Sequence, residues 1–242
     1  MRIMSKTLIT PILFLISYLC FAQDKVVYDD NAQKRMVDSF QAISVSSGID
    51  VIITQGTEEG VVVSASDIDF RDKIKTEVEN GTLKIYVEQG WMMGWNWRNR
   101  KLKAYVAVKS LTKISASAGS DVIIQGILKV AQLAMHFSSG SDFKGQVSVT
   151  DLTVDQSSGS DIHIRGNAVN VRIKTNSGSN FKGFDLMADY GIIETSSGSD
   201  AELTVTKEIA AEASSGSDVH YKGNPVIKYK SSHSGGSISK KG

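Results

Sequence analysis

Residues 117–218 repeat a short polar sequence that places an acidic or amide side chain at nearly constant intervals. Each copy reads Ser-Ser-Gly-Ser-Asp or a close variant, and Asn180 ends the one copy without a carboxylate. The carboxylates are Asp121, Asp142, Asp161, Asp200 and Asp218. Stacked in a column, they would offer oxygen ligands to Ca²⁺, which takes about six to eight of them. The alternative is that each Asp closes a turn through backbone amides. Because each repeat supplies only one Asp, we expect turns and no essential metal.

A second candidate site is the segment that holds all three tryptophans within seven residues. Trp91, Trp95 and Trp97 are followed closely by Arg98 and Arg100. Exposed Trp beside Arg is typical of a surface that stacks on sugars or docks a protein. The alternative is that this loop folds over the body of the protein and buries its aromatic rings. The sequence leaves both interpretations open.

Catalytic chemistry has little support in the sequence. The histidines His136, His163, His220 and His233 lack metal-ligand spacing, and we expect them on the surface. A Ser-His-Asp order, a phosphate-binding loop and a Cys/His cluster are all missing, and turns account for the many serines. We therefore predict no catalytic residue and no cofactor.

The spacing of the repeats predicts the elements that carry these residues. The repeat glycines are Gly119, Gly140, Gly159, Gly178, Gly198 and Gly216, at intervals of 21, 19, 19, 20 and 18 residues. Between them, apolar residues alternate with polar ones, as in Ile162/Ile164 and Val171/Ile173, which is typical of half-buried strands. The glycines supply the positive φ that a turn needs. The fold class predicted is all-β: a parallel β-helix, or β-solenoid, with about 19 residues per coil.

The amino-terminal half carries a diverged form of the same pattern. Gly48 lies in Ser-Ser-Gly-Ile-Asp, a seventh turn of the same kind, and Asn80-Gly81 is a hairpin signal. We interpret 39–110 as longer, diverged coils and 111–237 as regular repeats of one domain spanning 39–237. Residues 23–38 are polar and predict a flexible lead-in. After a degenerate copy at Gly235-Gly236-Ser237, Lys240 and Lys241 predict a charged cap.

Residues 1–22 have the layout of a secretory signal peptide. Arg2 and Lys6 precede an apolar run to Phe21, and Ala22 precedes the expected cleavage point. The alternative, a lipid anchor at Cys20, lacks a small residue before the cysteine. The run is too short for a comfortable membrane span, so we expect an exported protein that is periplasmic, associated with the outer membrane or extracellular, with no transmembrane span in the mature chain.

Composition excludes several classes of protein. The 242 residues are 41% hydrophobic and 22% charged, which argues against disorder, and 21 Gly with 2 Pro exclude a collagen-like chain. A net charge of +1 gives no reason to expect nucleic acid as a partner.

Together, the Ser46-Ser47-Gly48-Ile49-Asp50 start, the Glu79-Asn80-Gly81-Thr82-Leu83-Lys84-Ile85 segment and the Ser-Gly-Ser-Asp repeats resemble a known family. It is the auto-transporter adhesin head GIN domain family. The resemblance implies a secreted or envelope-bound parallel β-helix and brings no catalytic residues. We therefore expect a non-catalytic adhesin or binding module, with carbohydrate or a cell-surface protein as partner. The alternative is a polysaccharide lyase or hydrolase, because such enzymes also use β-helices.

Overall fold

The computed structural model describes residues 29–88 and 100–242. In these residues one sheet runs through sixteen strands, with a single short helix between β4 and β5. The elements are β1 (Gln33–Arg35), β2 (Ala42–Val45), β3 (Asp50–Gln55), β4 (Gly60–Ser64), α1 (Ile68–Arg71), β5 (Ile74–Glu79), β6 (Thr82–Val87), β7 (Lys103–Val108), β8 (Lys113–Ala116), β9 (Asp121–Phe137), β10 (Asp142–Gln156), β11 (Asp161–Thr175), β12 (Asn180–Thr195), β13 (Asp200–Ser214), β14 (Asp218–Lys222), β15 (Val226–His233) and β16 (Ser237–Lys240). The predicted signal peptide, 1–22, lies outside the described residues.

The regular repeats form a parallel solenoid, as predicted. Strands β9 to β13 stack in sequence order, and most residues pair with their equivalents one repeat later, for example Asp142 with Asp161 and Val154 with Ile173. Each coil is a single long, bent strand closed by one Ser-Gly turn, whereas the sequence pattern favoured two strands with a connection between them. The bend keeps backbone pairing through the coil, so the strand is not interrupted.

Alternation of side chains places one continuous core inside the coils. In β11, Ile162, Ile164, Val171 and Ile173 are buried, and polar residues between them face outward. Two successive outward residues, Val169 and Asn170, shift the alternation by one at a corner of the coil. The same pattern in neighbouring coils joins the buried residues into one hydrophobic cluster that extends from Phe40 to Ile238.

Glycine is required at the bend for a different steric reason than at the turns. Gly166 has φ of +120°, and a Cβ there would lie 2.0 Å from the carbonyl oxygen of Val147. At Gly183 a Cβ would lie 2.5 Å from Cε1 of Phe181, whose ring fills the space inside the coil. The bend therefore needs glycine for close approach of backbone or ring to the strand.

The amino-terminal half stacks out of sequence order. Strands β2 and β3 lie between two coils: β8 and β9 pair with them on one side, and β6 and β7 on the other. All of these pairs are parallel. After β3 the chain therefore forms an outer coil that includes β6 and β7, and it then continues to β8 on the opposite side of β2. The prediction of longer, diverged coils did not contain this order.

Antiparallel strands cover the outer coil. The Asn80-Gly81 hairpin is confirmed, since β5 pairs antiparallel with β6 across it. Strand β4 pairs antiparallel with β7, and β1 pairs with β4. Strand β1 falls within the lead-in that we expected to be flexible; there the Arg35 guanidinium donates to the carbonyl of Arg71 at 3.2 Å.

At the carboxy-terminal end, β14 and β15 pair with β13, and β16 pairs with β14. Instead of a charged cap alone, residues 237–240 add half a coil that buries Ile238. Strand β15 pairs only with β13 among the described strands and exposes Val226, Ile227 and Tyr229.

Candidate functional site

The repeated turns share one backbone conformation. In the copy at 157–161, Ser158 has φ of +57° and Gly159 has φ of +69°. The amide of Gly159 donates to the carbonyl of Ser177 in the next coil at 3.1 Å, and the same bond recurs from coil to coil. Positive φ occurs at all the turn glycines, Gly48, Gly119, Gly140, Gly159, Gly178, Gly198 and Gly216. The sequence argument assigned positive φ to glycine alone and missed the left-handed residue before it.

The fourth residue of each regular turn is a buried serine that links two coils. Ser141 donates to the carbonyl of Ala116 at 3.0 Å, and Ser160 donates to the carbonyl of Phe137 at 3.2 Å. Ser120 accepts from the amide of Ile49 at 3.1 Å. All three serines are fully buried. The hydroxyls of Ser141 and Ser160 add a second hydrogen bond to carbonyls that already accept a backbone amide of the next coil, and Ser120 supplies the acceptor for the Ile49 amide.

In the middle of the Asp column, side chains are hydrogen-bonded from turn to turn. Asn180 Nδ2 donates to Asp161 Oδ1 at 2.8 Å, and the amide of Asp161 donates to Asp142 Oδ1 at 3.3 Å. Burial, with the charges of Asp50 and Asp142, raises the pKa of Asp121. Within 29–88 and 100–242, no group of three or more His, Cys, Asp or Glu side chains is placed to hold a metal ion.

The tryptophan segment is described only at its end. Trp91, Trp95, Trp97 and Arg98 lie outside the described residues. Arg100 is half-buried beside the Gly48 turn: its Nη2 lies 3.7 Å from where a Cβ on Gly48 would be. Burial lowers the pKa of its guanidinium.

A cationic groove crosses the outer face of the coils just after the turns. Two residues after the Asp or Asn of each turn, the strand carries a side chain that faces outward. This residue pairs with its equivalent in the next coil, so that Lys144, His163, Lys182 and Glu202 form a row. The groove has a volume of about 560 Å³. Its lining includes Ile123, Lys144, His163, Arg165, Lys182, Phe184, Asp185, Glu202 and Lys222. Sequence reasoning did not find it, because its residues come from different repeats.

A bulge in β12 builds one wall of this groove. Phe184, Asp185 and Leu186 have no partner in the ladder between β12 and β13, although both strands are described throughout. The hydroxyl of Thr204 donates to the carbonyl of Phe184 at 2.7 Å and holds the bulge. The ammonium of Lys222 lies 4.4 Å from the centre of the Phe184 ring. A bulge re-aims side chains that would otherwise alternate, and here it turns an aromatic ring and a carboxylate toward the row of cations.

The cations of the groove are available to a ligand. Lys144, Arg165 and Lys182 are exposed, and none of them makes a salt bridge to any carboxylate in the part of the chain that the structure describes. Lys182 Nζ lies 3.3 Å from His163 Nε2. The groove is lined by the cations Lys144, Arg165, Lys182 and Lys222 and by two carboxylates, Asp185 and Glu202, so its net charge is positive. It can bind negative groups that also present apolar surface to Ile123 and Phe184.

A smaller groove of about 340 Å³ on another face contains His136. The Nδ1 atom of His136 lies 3.3 Å from Asp155 Oδ2 of β10. On the opposite side of β9, Ser115 of β8 pairs with His136 in the strand ladder. Among the described residues no hydrogen bond joins Ser115 to His136, and both members of the His-Asp pair are about half exposed. The arrangement therefore lacks the hydrogen-bonded nucleophile that a serine hydrolase needs.

The remaining histidines also lie in the outer rows. His163 and His233 are exposed, and His220 Nδ1 lies 2.9 Å from the hydroxyl of Ser239. Within the described ranges, no helix is long and apolar enough to cross a membrane.

A family model described as "Putative auto-transporter adhesin, head GIN domain" matches residues 39–225. The chain belongs to this family. Among curated proteins, none matches it. One solved structure with the same fold is that of a protein from Bacteroides fragilis described as a "putative adhesin". It has a TM-score of 0.79 and 20% identity over 87% of this chain and 96% of that one. The head GIN domain of this chain thus folds as its solved relatives do.

Two further structures share the fold of this head GIN domain. One, from Parabacteroides distasonis and titled "Putative lipid binding protein", has a TM-score of 0.66 and 20% identity over 87% of this chain and 96% of that one. The other, from Parabacteroides merdae and described as a "putative adhesin", has a TM-score of 0.63 and 16% identity over 87% of this chain and 95% of that one. Identities this low support the fold alone.

Proposed function

We propose that this protein is an exported, non-catalytic adhesin of the cell envelope, which binds carbohydrate or a cell-surface protein through the outer face of its solenoid. The observation that carries the proposal is the cationic groove, because its lining residues come from six strands that stack in succession, β9 to β14. A ligand that spans many repeats, such as a polymer chain, would contact one side chain from each coil. The family description supports the same class of function.

Export rests on the amino-terminal sequence. Residues 1–22 carry the basic, apolar and small-residue order of a signal peptide, so the mature chain would begin at Gln23. Mass spectrometry of the protein from its own cells tests this directly. A chain beginning at Gln23 agrees with the proposal, a lipidated chain beginning at Cys20 indicates an anchored form, and an uncleaved cytoplasmic chain contradicts export.

Binding is tested with the mature protein on a glycan array, together with surface labelling of intact cells. Retention on a defined class of glycans, with the labelling reagent reaching the protein from outside, is the expected result. A protein that is inaccessible from outside and retains no glycan or surface protein would contradict the proposal.

One observation favours a second candidate, a polysaccharide lyase or hydrolase. Asp185 and Glu202 line the cationic groove together with Arg165 and Lys182, and glycoside cleavage canonically uses a pair of carboxylates. However, Asp185 is exposed and Glu202 is half exposed. A general acid for glycoside cleavage is typically a carboxyl group in an apolar pocket, and neither of these side chains is buried. Binding without turnover is therefore the better supported function.

A further inference from the structure

We infer that the cationic groove binds an anionic polysaccharide, one whose sugar rings carry carboxylate or sulfate groups. This inference rests on the proposed function and names the ligand class of the same surface. It follows from three features of the groove: the spacing of its cations, its apolar contacts and its shape.

The cations are arranged as a line along the solenoid axis. Lys144 and Lys182 occupy equivalent positions two coils apart, with His163 between them. Adjacent strands are about 4.8 Å apart, so the two lysines repeat at roughly 10 Å along the groove. Arg165 and Lys222 lie beside this line. A line of separated cations matches a polymer with regularly spaced charges better than it matches one compact anion.

The apolar residues distinguish a sugar polymer from a bare polyanion. Ile123 is 40% exposed at one end of the groove, and Phe184 forms its wall under Lys222. Sugar rings present apolar faces together with polar edges, and aromatic or aliphatic side chains pack against such faces. A uronate-type chain would place its carboxylates at the lysines and its ring faces at Ile123 and Phe184.

The shape of the groove favours an extended chain. Its lining comes from six strands that stack in succession, β9 to β14, and Phe184 and Asp185 of the bulge line it beside the lysines. An extended polymer can lie along the row and contact several coils at once.

The test is binding of the mature protein to polygalacturonate, with dextran as the neutral polymer and vesicles that contain anionic phospholipid as the lipid surface. The variant Lys144→Gln/Lys182→Gln removes two charges from the groove. The matched control, Lys109→Gln/Lys129→Gln, removes two exposed lysines that do not line it. Loss of two charge-assisted contacts should weaken polygalacturonate binding by about tenfold or more, and the control should stay within about twofold.

Equal loss in both double variants would overturn the inference, because general charge would then explain binding. Retention on dextran as tight as on polygalacturonate, or binding only to the vesicles, would also overturn it. A protein that binds only neutral glycans or a cell-surface protein would refute the anionic ligand and leave the proposed function intact. Arg165→Gln serves as a second groove variant, and the thermal midpoint of every variant shows whether it folds.

Salt gives an independent readout. Raising ionic strength from about 0.01 M to about 1 M shortens the screening length from roughly 30 Å to roughly 3 Å. Binding to polygalacturonate should fall steeply over this range. Binding that is unchanged by salt would overturn the inference.

Discussion

The amide of Ile49 donates a hydrogen bond to the hydroxyl of Ser120 at 3.1 Å, across 71 residues of sequence. Both residues are fully buried, and they belong to two turns that stack directly on one another. This bond joins the first coil of the chain to the regular repeats. It identifies the place where the order of coils in space departs from their order in the sequence.

Ser120→Ala should destabilise the protein by about 1–3 kcal/mol, because it leaves the buried amide of Ile49 without its acceptor. The matched control is Ser139→Ala, at an exposed position where the preceding turn already has Ala118. Denaturant unfolding of both variants provides the measurement. If Ser120→Ala is as stable as Ser139→Ala, the hydrogen bond between the two coils has no energetic role.

Asp121→Asn should stabilise the protein at neutral pH. Burial, together with the charges of Asp50 and Asp142, raises the pKa of Asp121 in the folded state above its unfolded value. The folded state therefore binds more protons than the unfolded state between the two pKa values, and stability falls as the pH rises through that range. The advantage of the variant should be present above the folded pKa and should vanish below about pH 3.9, the unfolded value.

Thermal unfolding of both proteins across this pH range is the measurement. A stability difference between Asp121→Asn and wild type that is independent of pH would show that the charge of Asp121 is not responsible.

Millimolar EDTA should leave the unfolding midpoint of the protein unchanged. In the middle of the Asp column, carboxylate oxygens accept from amides of neighbouring turns: Asp142 accepts from the backbone of Asp161, and Asp161 from the side chain of Asn180 at 2.8 Å. A bound ion that held the fold would stabilise it by mass action, and its removal would lower the midpoint. A large drop in EDTA that calcium restores would make these aspartates metal ligands.

Asp185→Asn/Glu202→Gln separates the binding function from the enzymatic alternative. If the groove binds anionic glycans, removal of two negative charges should strengthen polygalacturonate binding severalfold, by about 1 kcal/mol or less at these partly exposed positions. If the two carboxylates act as acid and base, the same variant should abolish cleavage by the wild-type protein. Product analysis of wild type and variant with polygalacturonate, beside a binding titration, distinguishes the two outcomes.

The regular repeats were predictable because two local signals agreed in every copy. Alternation at residues such as Ile162 and Ile164 fixes which face is buried, and the Ser-Gly pair fixes the turn. The stacking of β2 between β6 and β8 was not predictable in this way, since parallel pairing is decided by contacts distant in sequence. The Asn80-Gly81 hairpin, a local signal, was found correctly.

Prediction of the cationic groove would require both the register of the coils and the position of the bulge in β12. Lys144 and Lys182 become neighbours in a row only once the register of three coils is known. The wall at Phe184 depends on a bulge, and the sequence of β12 alone does not mark which residues leave the ladder. Alignment of the repeats on their turn residues would have revealed the outward row but not the wall.

The most direct test of the account is the acetylation rate of individual lysines in the wild-type mature protein, measured by mass spectrometry with and without polygalacturonate. Lys144 and Lys182 should be protected when the polymer is present, because it would cover the groove that they line. Lys109 and Lys129, which are also exposed but do not line the groove, should react at an unchanged rate. Protection spread evenly over all four lysines, or absent from Lys144 and Lys182, would contradict the account.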